Sequence, residues 1–179
     1  MTGNWDESAS IPPQQLDADT ILRTLIEHGV EFVVIGGLAV GAHGFPRATK
    51  DVDIAPAPDR DNRGRLYAAL VELDAAPLEI GDLRAEELPV PFTAEGLDEG
   101  GNWALRTNAG RVDVLQSVPG VDEGYARLSA SAIAVDVPSV GLVRFAGYED
   151  IVAMKRAAGR PLDVADLEEL ARVRGDPDA

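Results

Sequence analysis

Two aspartates one residue apart, Asp51 and Asp53, stand in the run DVDIAP, where Val52, Ile54 and Ala55 otherwise describe a strand. Residues two apart in a strand share a face, so both carboxylates point one way while Val52 and Ile54 point into a core. Adjacent carboxylates repel, and burying them without a partner is costly. A divalent cation resolves the conflict, and all-oxygen ligands suit Mg2+ or Mn2+. A third acid is offered by GRVDVLQ, where Asp113 lies between Val112 and Val114 in another β-like run. Three such acids on one side of a small sheet can hold two metals ~4 Å apart for phosphoryl chemistry.

Upstream, the apolar, β-branched run EFVVIG ends in Gly36-Gly37 and passes directly into the small-residue stretch GLAVGAHG. A strand that turns through glycines into a helix lets backbone N–H groups approach a ligand closely. The helix start adds partial positive charge suited to phosphate. One element then cradles phosphates and the next holds their metal, which is the combination a nucleoside triphosphate (NTP) site needs.

The elements around these residues read as follows. LDADTILRTLIEHG predicts a helix capped by Asp17 or Asp19, with an apolar stripe at Ile21, Leu22, Leu25 and Ile26 and a stop at Gly29. PDRDNRGRLYAALVELDA predicts a helix capped near Asp59, with Leu66, Ala69, Leu70 and Leu73 facing inward. Residues 77–101, rich in Pro, Gly and acids, predict a short strand or two and a long loop. NWALRT and GRVDVLQS flank NAG as the arms of a hairpin. GVDEGYARLSAS predicts a helix, AIAVDVPSV and GLVRFA two strands, and YEDIVAMKRAAG and PLDVADLEELARVRG a final helical pair with Pro161 near the start of its second member. The expected fold class is α/β (α+β): a small mixed β-sheet flanked by helices, with a C-terminal helical pair. Residues 1–15 are expected to form a flexible N-terminal tail, and residues 16–179 a single domain.

The composition narrows the partners. Sixteen basic residues face thirty-one acidic ones, a formal net charge of −15. Such a chain is a poor generic binder of nucleic acid, although a local basic patch is compatible with it. The absence of cysteine rules out disulfides and thiolate metal sites. No basic segment followed by an apolar run opens the chain, and no stretch approaches the roughly 18 apolar residues of a membrane span. A cytoplasmic protein with no membrane partner is expected.

The stretch from Ile35 to Ile54 resembles the signature of the nucleotidyltransferase superfamily that includes DNA polymerase β. That signature is an apolar residue, Gly, Gly or Ser, a spacer, then Asp-apolar-acid-apolar; here Ile35-Gly36-Gly37, thirteen residues and Asp51-Val52-Asp53-Ile54 match it. The resemblance implies a nucleotidyltransferase fold and a two-metal transfer of a nucleoside monophosphate from an NTP to a hydroxyl, with pyrophosphate leaving. It implies that Asp51 and Asp53 bind the metals, and that Asp113 binds one of them and helps deprotonate the acceptor. AMKRAAGRPLDVADLEEL resembles a motif of bacterial AbiEii-type nucleotidyltransferases, the toxins of certain toxin–antitoxin pairs, through Lys155, Arg160, Asp163 and Asp166. That likeness implies that Lys155 and Arg160 lie on the nucleotide side, with Lys155 on the triphosphate and Asp163 orienting the basic side chains. HGFPRATKD resembles the same proteins and adds Arg47 and Thr49 to the nucleotide-binding set. One departure stands out: Leu38, not a serine, follows the glycine pair, which leaves phosphate binding more to backbone N–H groups.

Each of these residues also has a structural role open to it. Asp51, Asp53 and Asp113 could be solvated strand acids, and Gly36-Gly37 could simply end a strand. Arg47 could pair with an acid of the site. Lys155, Arg160 and Asp163 suit helix ends on dipole grounds, and His28 and His43 read as structural. For the acceptor, the toxin resemblance points to an RNA or tRNA end and to a cognate antitoxin or toxin protein as partner. The acidic charge points instead to a small molecule such as an antibiotic, or to a protein side chain. A basic patch of Arg60, Arg63, Arg65, Arg156 and Arg160 would mark RNA, and a deep acidic cleft a cationic drug. The alternative class is a catalytically degenerate nucleotidyltransferase-fold protein acting as an antitoxin or partner-binding module.

Overall fold

A computed structural model of the protein describes residues 15–78 and 90–175. The tail expected over 1–15 falls outside these residues but for Gln15, as does 79–89 of the expected central loop. Helix α1 (Ala18–Glu27) is capped by Asp17, whose carboxylate accepts the Thr20 N–H at 3.0 Å. It buries Ile21, Leu22 and Leu25, as the apolar spacing requires. Strand β1 (Phe32–Ile35) is buried along its whole length, which is why its run has no polar alternation. Helix α2 (Gly36–Ala42) starts on the next residue, with no loop between. Strand β2 (Asp51–Pro56) leads to helix α3 (Arg60–Glu72), capped by the Asp59 carboxylate on the Asn62 N–H at 2.8 Å.

In the middle, strand β3 (Ala76–Pro77) supplies the short strand expected there. Helix α4 (Ala94–Asp98) was not expected; Thr93 caps it by accepting the Gly96 N–H at 3.1 Å. Strands β4 (Asn102–Thr107) and β5 (Gly110–Leu115) form the expected hairpin. Helix α5 (Tyr125–Ser131) is shorter than its sequence reading. Two successive turns, Val121 N–H to Val118 O and Gly124 N–H to Val121 O, occupy the segment before it. Strands β6 (Ile133–Val137) and β7 (Gly141–Phe145) pair antiparallel, and helices α6 (Tyr148–Ala158) and α7 (Pro161–Arg174) close the described chain. Pro161 opens α7 at a position where the missing N–H costs nothing.

The strands form one mixed sheet in the order β3-β4-β5-β2-β1-β7-β6. Two parallel pairings, β2 with β5 and β1 with β7, join segments distant in sequence. The β2–β5 ladder sets Val52 against Val112 and Ile54 against Val114, and all four are fully buried. The alternate residues, Asp51 with Arg111 and Asp53 with Asp113, stand on the opposite face. Asn62, itself fully buried, fixes the approach to β1. Its side chain accepts the Glu31 N–H at 2.7 Å and donates to the carbonyls of Glu31 at 2.9 Å and Ala57 at 3.0 Å. Among the described residues no helix is long and apolar enough to cross a membrane.

Candidate active site

The parallel ladder turns three separated aspartates into one cluster. Asp53 lies directly across from Asp113, Asp51 is two residues up the same strand, and one carboxylate oxygen from each falls within 4.8 Å of the others. The donor set is hard oxygen throughout, which fits a magnesium- or manganese-sized cation. The site is also electrostatically short of positive charge. Burial, and then the charges of Asp51 and Asp113, push the Asp53 carboxyl up to about 7, despite the opposing pull of Lys155 and Arg111.

Gly36 shapes this cluster. It sits at φ +64°, and a Cβ built there would fall 1.9 Å from Asp53 Oδ2 and 2.6 Å from its Cγ. The carboxylate thus occupies the space a side chain would fill. Gly37 makes room in turn for Thr49 and Arg47, whose Oγ1 and Nη2 would lie 2.8 and 3.3 Å from a Cβ on it. Thr49 Oγ1 donates to Asp51 Oδ1 at 3.1 Å, steadying the first acid from the loop before β2. No side chain caps the start of α2, so its first N–H groups are left for other acceptors.

The helical pair brings a second charged layer. Lys155, on α6, bonds Asp163 Oδ1 at 2.8 Å and Asp166 Oδ2 at 2.7 Å, both on α7, and all three side chains are buried. Arg47 grips Asp166 with both fork nitrogens, at 2.7 and 2.9 Å. Arg160 grips Asp163 from the solvent side, with Nε at 2.7 Å. Burial alone would raise Asp163, but hydrogen bonds from Arg160 and Lys155 outweigh it and hold the carboxyl down at about 2. A cavity of about 340 Å³ opens between this layer and the sheet. Asp53, Gly36, Lys155, Arg160 and Asp163 line it, with apolar walls from Ile35, Leu115, Val118, Ile151 and Met154.

Of the residues singled out from sequence, the structure draws Asp51, Asp53, Asp113, Gly36, Gly37 and Thr49 into one cluster. Lys155, Arg160 and Asp163 face Asp53 across the cavity. Arg47 sits beside Gly37, but its guanidinium is committed to Asp166, the acid-pairing role weighed for it. Asp166 belonged to the C-terminal motif without a role; here it joins Arg47 to Lys155. Arg111 was missed. It stands two residues before Asp113, and the period of a strand was signal enough to place it on the acid face. His43 Nε2 lies 2.9 Å from the Ala146 carbonyl, with its ring edge-on to Tyr148, so its role is structural. Arg60 and Arg63 both pair with Asp98, and Arg65 leans on Asn62. None of these three lines the cavity.

No protein-family model matches this sequence, and no curated protein matches it significantly. Solved structures do share its architecture. An antigenic nucleotidyltransferase-like protein from Paracoccidioides brasiliensis superposes with a TM-score of 0.54 at 17% identity, over 90% of this chain and 77% of that one. The antibiotic-resistance factor ANT(2'')-Ia superposes with a TM-score of 0.50 at 18% identity, over 87% of this chain and 86% of that one. The chain therefore has the nucleotidyltransferase fold, with Asp53 of the acid cluster lining the cavity between the sheet and the helical pair.

Proposed function

We propose that this protein is a divalent-metal-dependent nucleotidyltransferase that moves a nucleoside monophosphate from an NTP to a hydroxyl group of a small molecule. One observation carries the reading: three aspartates from two strands distant in sequence but paired in the sheet converge within 4.8 Å, with Asp53 in the space that Gly36 leaves open. Asp51, Asp53 and Asp113 are the residues that would hold Mg2+ or Mn2+, which when bound supplies positive charge against the phosphate oxygens. The N–H groups opening α2 at Gly36 and Gly37 receive the triphosphate. Arg160 and Lys155 add positive charge along the cavity, with Asp163 orienting both. The base lies on the apolar wall of Leu115, Val118 and Met154. Asp113 takes the acceptor's proton; the acceptor oxygen then bonds to the α-phosphorus as the bond to pyrophosphate breaks.

For the acceptor, the net charge of −15 and the pairing of Arg60 and Arg63 with Asp98 count against an RNA end. The shared architecture with an antibiotic-resistance factor favours a small hydroxyl compound. Thermal denaturation with each ribonucleoside triphosphate and Mg2+, on wild type and Asp51→Asn, tests the site. A ligand at a hundred times its Kd stabilises by ~2.7 kcal/mol, a rise of roughly 5–10 °C for a chain of this size. The rise is expected in the wild type alone. Transfer of an α-labelled nucleotide to small hydroxyl compounds, and not to total RNA, then identifies the acceptor class. No rise with any triphosphate refutes catalysis and leaves a partner-binding module that kept the fold.

A further inference from the structure

The β2–β5 register puts a fourth charged residue into the acid cluster. Arg111 pairs with Asp51 across the ladder as Asp113 pairs with Asp53, so three acids and one arginine share one patch of sheet. Arg111 holds the Asp113 carboxylate by both oxygens: Nε to Oδ1 at 2.8 Å and Nη2 to Oδ2 at 2.6 Å. Its Nε also lies 3.9 Å from Asp51 Oδ2. Such a two-pronged, charge-assisted grip is among the stronger side-chain pairings. It is made within one strand, so closing it requires no movement of any other element. Asp51 is held more lightly, by the Thr49 hydroxyl at 3.1 Å.

We propose that Arg111 is a positioning residue that withholds Asp113 from metal. The cluster then takes one divalent cation readily, on Asp51 and Asp53, and a second only when Arg111 releases Asp113. This inference rests on the metal site proposed above. The guanidinium takes one lone pair on each Asp113 oxygen and sets its own positive charge against the carboxylate, so it competes with a second cation for Asp113. A carboxylate held by both oxygens is also a poor proton acceptor, so the same grip keeps the base for the acceptor hydroxyl out of use. Release is sterically open: the Arg111 side chain is 43% exposed and has solvent to swing into. A grip closed in ~90% of molecules raises the apparent Kd of whatever must displace it about tenfold.

The test is Mn2+ alone, titrated against the full chain and read by calorimetry and by the spin-resonance signal of free Mn2+. The wild type is expected to bind one ion tightly and a second about tenfold more weakly or worse. In Arg111→Met the second Kd falls about tenfold, and the first, which feels only the loss of the charge 3.9 Å from Asp51, falls by less. In an Asp113→Asn background, Arg111→Met gives the second ion no such selective gain. Arg111→Lys keeps the charge without the fork and tightens the second ion in part; it carries the test should Arg111→Met fail to fold, as judged by circular dichroism in chelator. A general charge effect would tighten both ions alike, and that result overturns the proposal. So does a second Kd that is unchanged or weakened in the variants. A wild type that binds no Mn2+ at all fails the metal-site reading itself, a different result from two equal sites untouched by Arg111.

Discussion

Replacing Gly36 with alanine puts two separable costs on one atom. The first is conformational. Gly36 adopts φ +64°, a left-handed backbone that costs an L-residue ~1–2 kcal/mol. The second is steric. The new Cβ would lie 1.9 Å from Asp53 Oδ2, where real contacts stay above 3.0 Å, so the carboxylate must move by about an ångström. Turning Asp53 off its rotamer adds ~1 kcal/mol. The sum, ~2–3 kcal/mol, lowers Tm by about 4–12 °C at 2–4 °C per kcal/mol for a chain of this length. Function is expected to suffer more than stability. Metal–oxygen bonds of ~2.1 Å do not tolerate a ligand displaced by half their length, so the Mn2+ Kd rises at least about tenfold, the effect of losing ~1.4 kcal/mol of binding. Thermal denaturation in chelator reads the first cost and Mn2+ titration the second. Gly37→Ala is the control. Its backbone is not left-handed, and the nearest atom, Thr49 Oγ1, would lie 2.8 Å from the new Cβ rather than 1.9 Å, so both effects shrink. If Gly36→Ala binds Mn2+ like the wild type, the idea that this glycine makes room for a metal ligand is wrong.

The pH dependence follows from Asp53. Its carboxyl is pushed from 3.8 up to about 7 in the metal-free protein, so folding favours the protonated form. Its contribution to stability is fully present below pH ~4 and is lost as pH rises through about 7. Tm in chelator should decline across that window, Asp53→Asn should flatten the decline, and saturating Mn2+ should reverse it; a flat wild-type profile would count against the crowded-acid picture. Lys155→Met removes the cation shared by two buried acids. Arg160 and Arg47 remain on those acids, so the cost should sit at the low end of the range for a broken buried pair, ~3 kcal/mol. That corresponds to a Tm lower by about 6–12 °C; an unchanged Tm would show the network to be dispensable. Asn62→Ala strips the partners from the Glu31 N–H and from two carbonyls, and should cost ~2–3 kcal/mol in chemical denaturation without changing Mn2+ affinity.

Much of this molecule is local, and what is local can be read from the chain alone. The alternation at Asp51-Val52-Asp53-Ile54 sets which side chains face the core because a strand repeats every two residues. Asp17 and Asp59 cap helices, and Pro161 opens one, because the orphan N–H groups they address lie within three residues of them. The strand running straight into α2 at Gly36 follows from its two glycines and its apolar run. The segments that misled were those with weak local signals: the one-turn helix at Ala94–Asp98, and the turns that shorten α5. Tertiary structure alone decided the rest. Nothing in the spacing of two separated strands says that Asp53 will oppose Asp113 rather than its neighbour. A slip of one residue would have sent Asp113 to the buried face. That register comes from packing Val52, Ile54, Val112 and Val114 into one core. The same holds for Arg47, which meets Asp166 only because α7 folds back over the loop before β2. Short-range spacing dictates which residues can do chemistry, while pairings between distant segments depend on how the whole core closes.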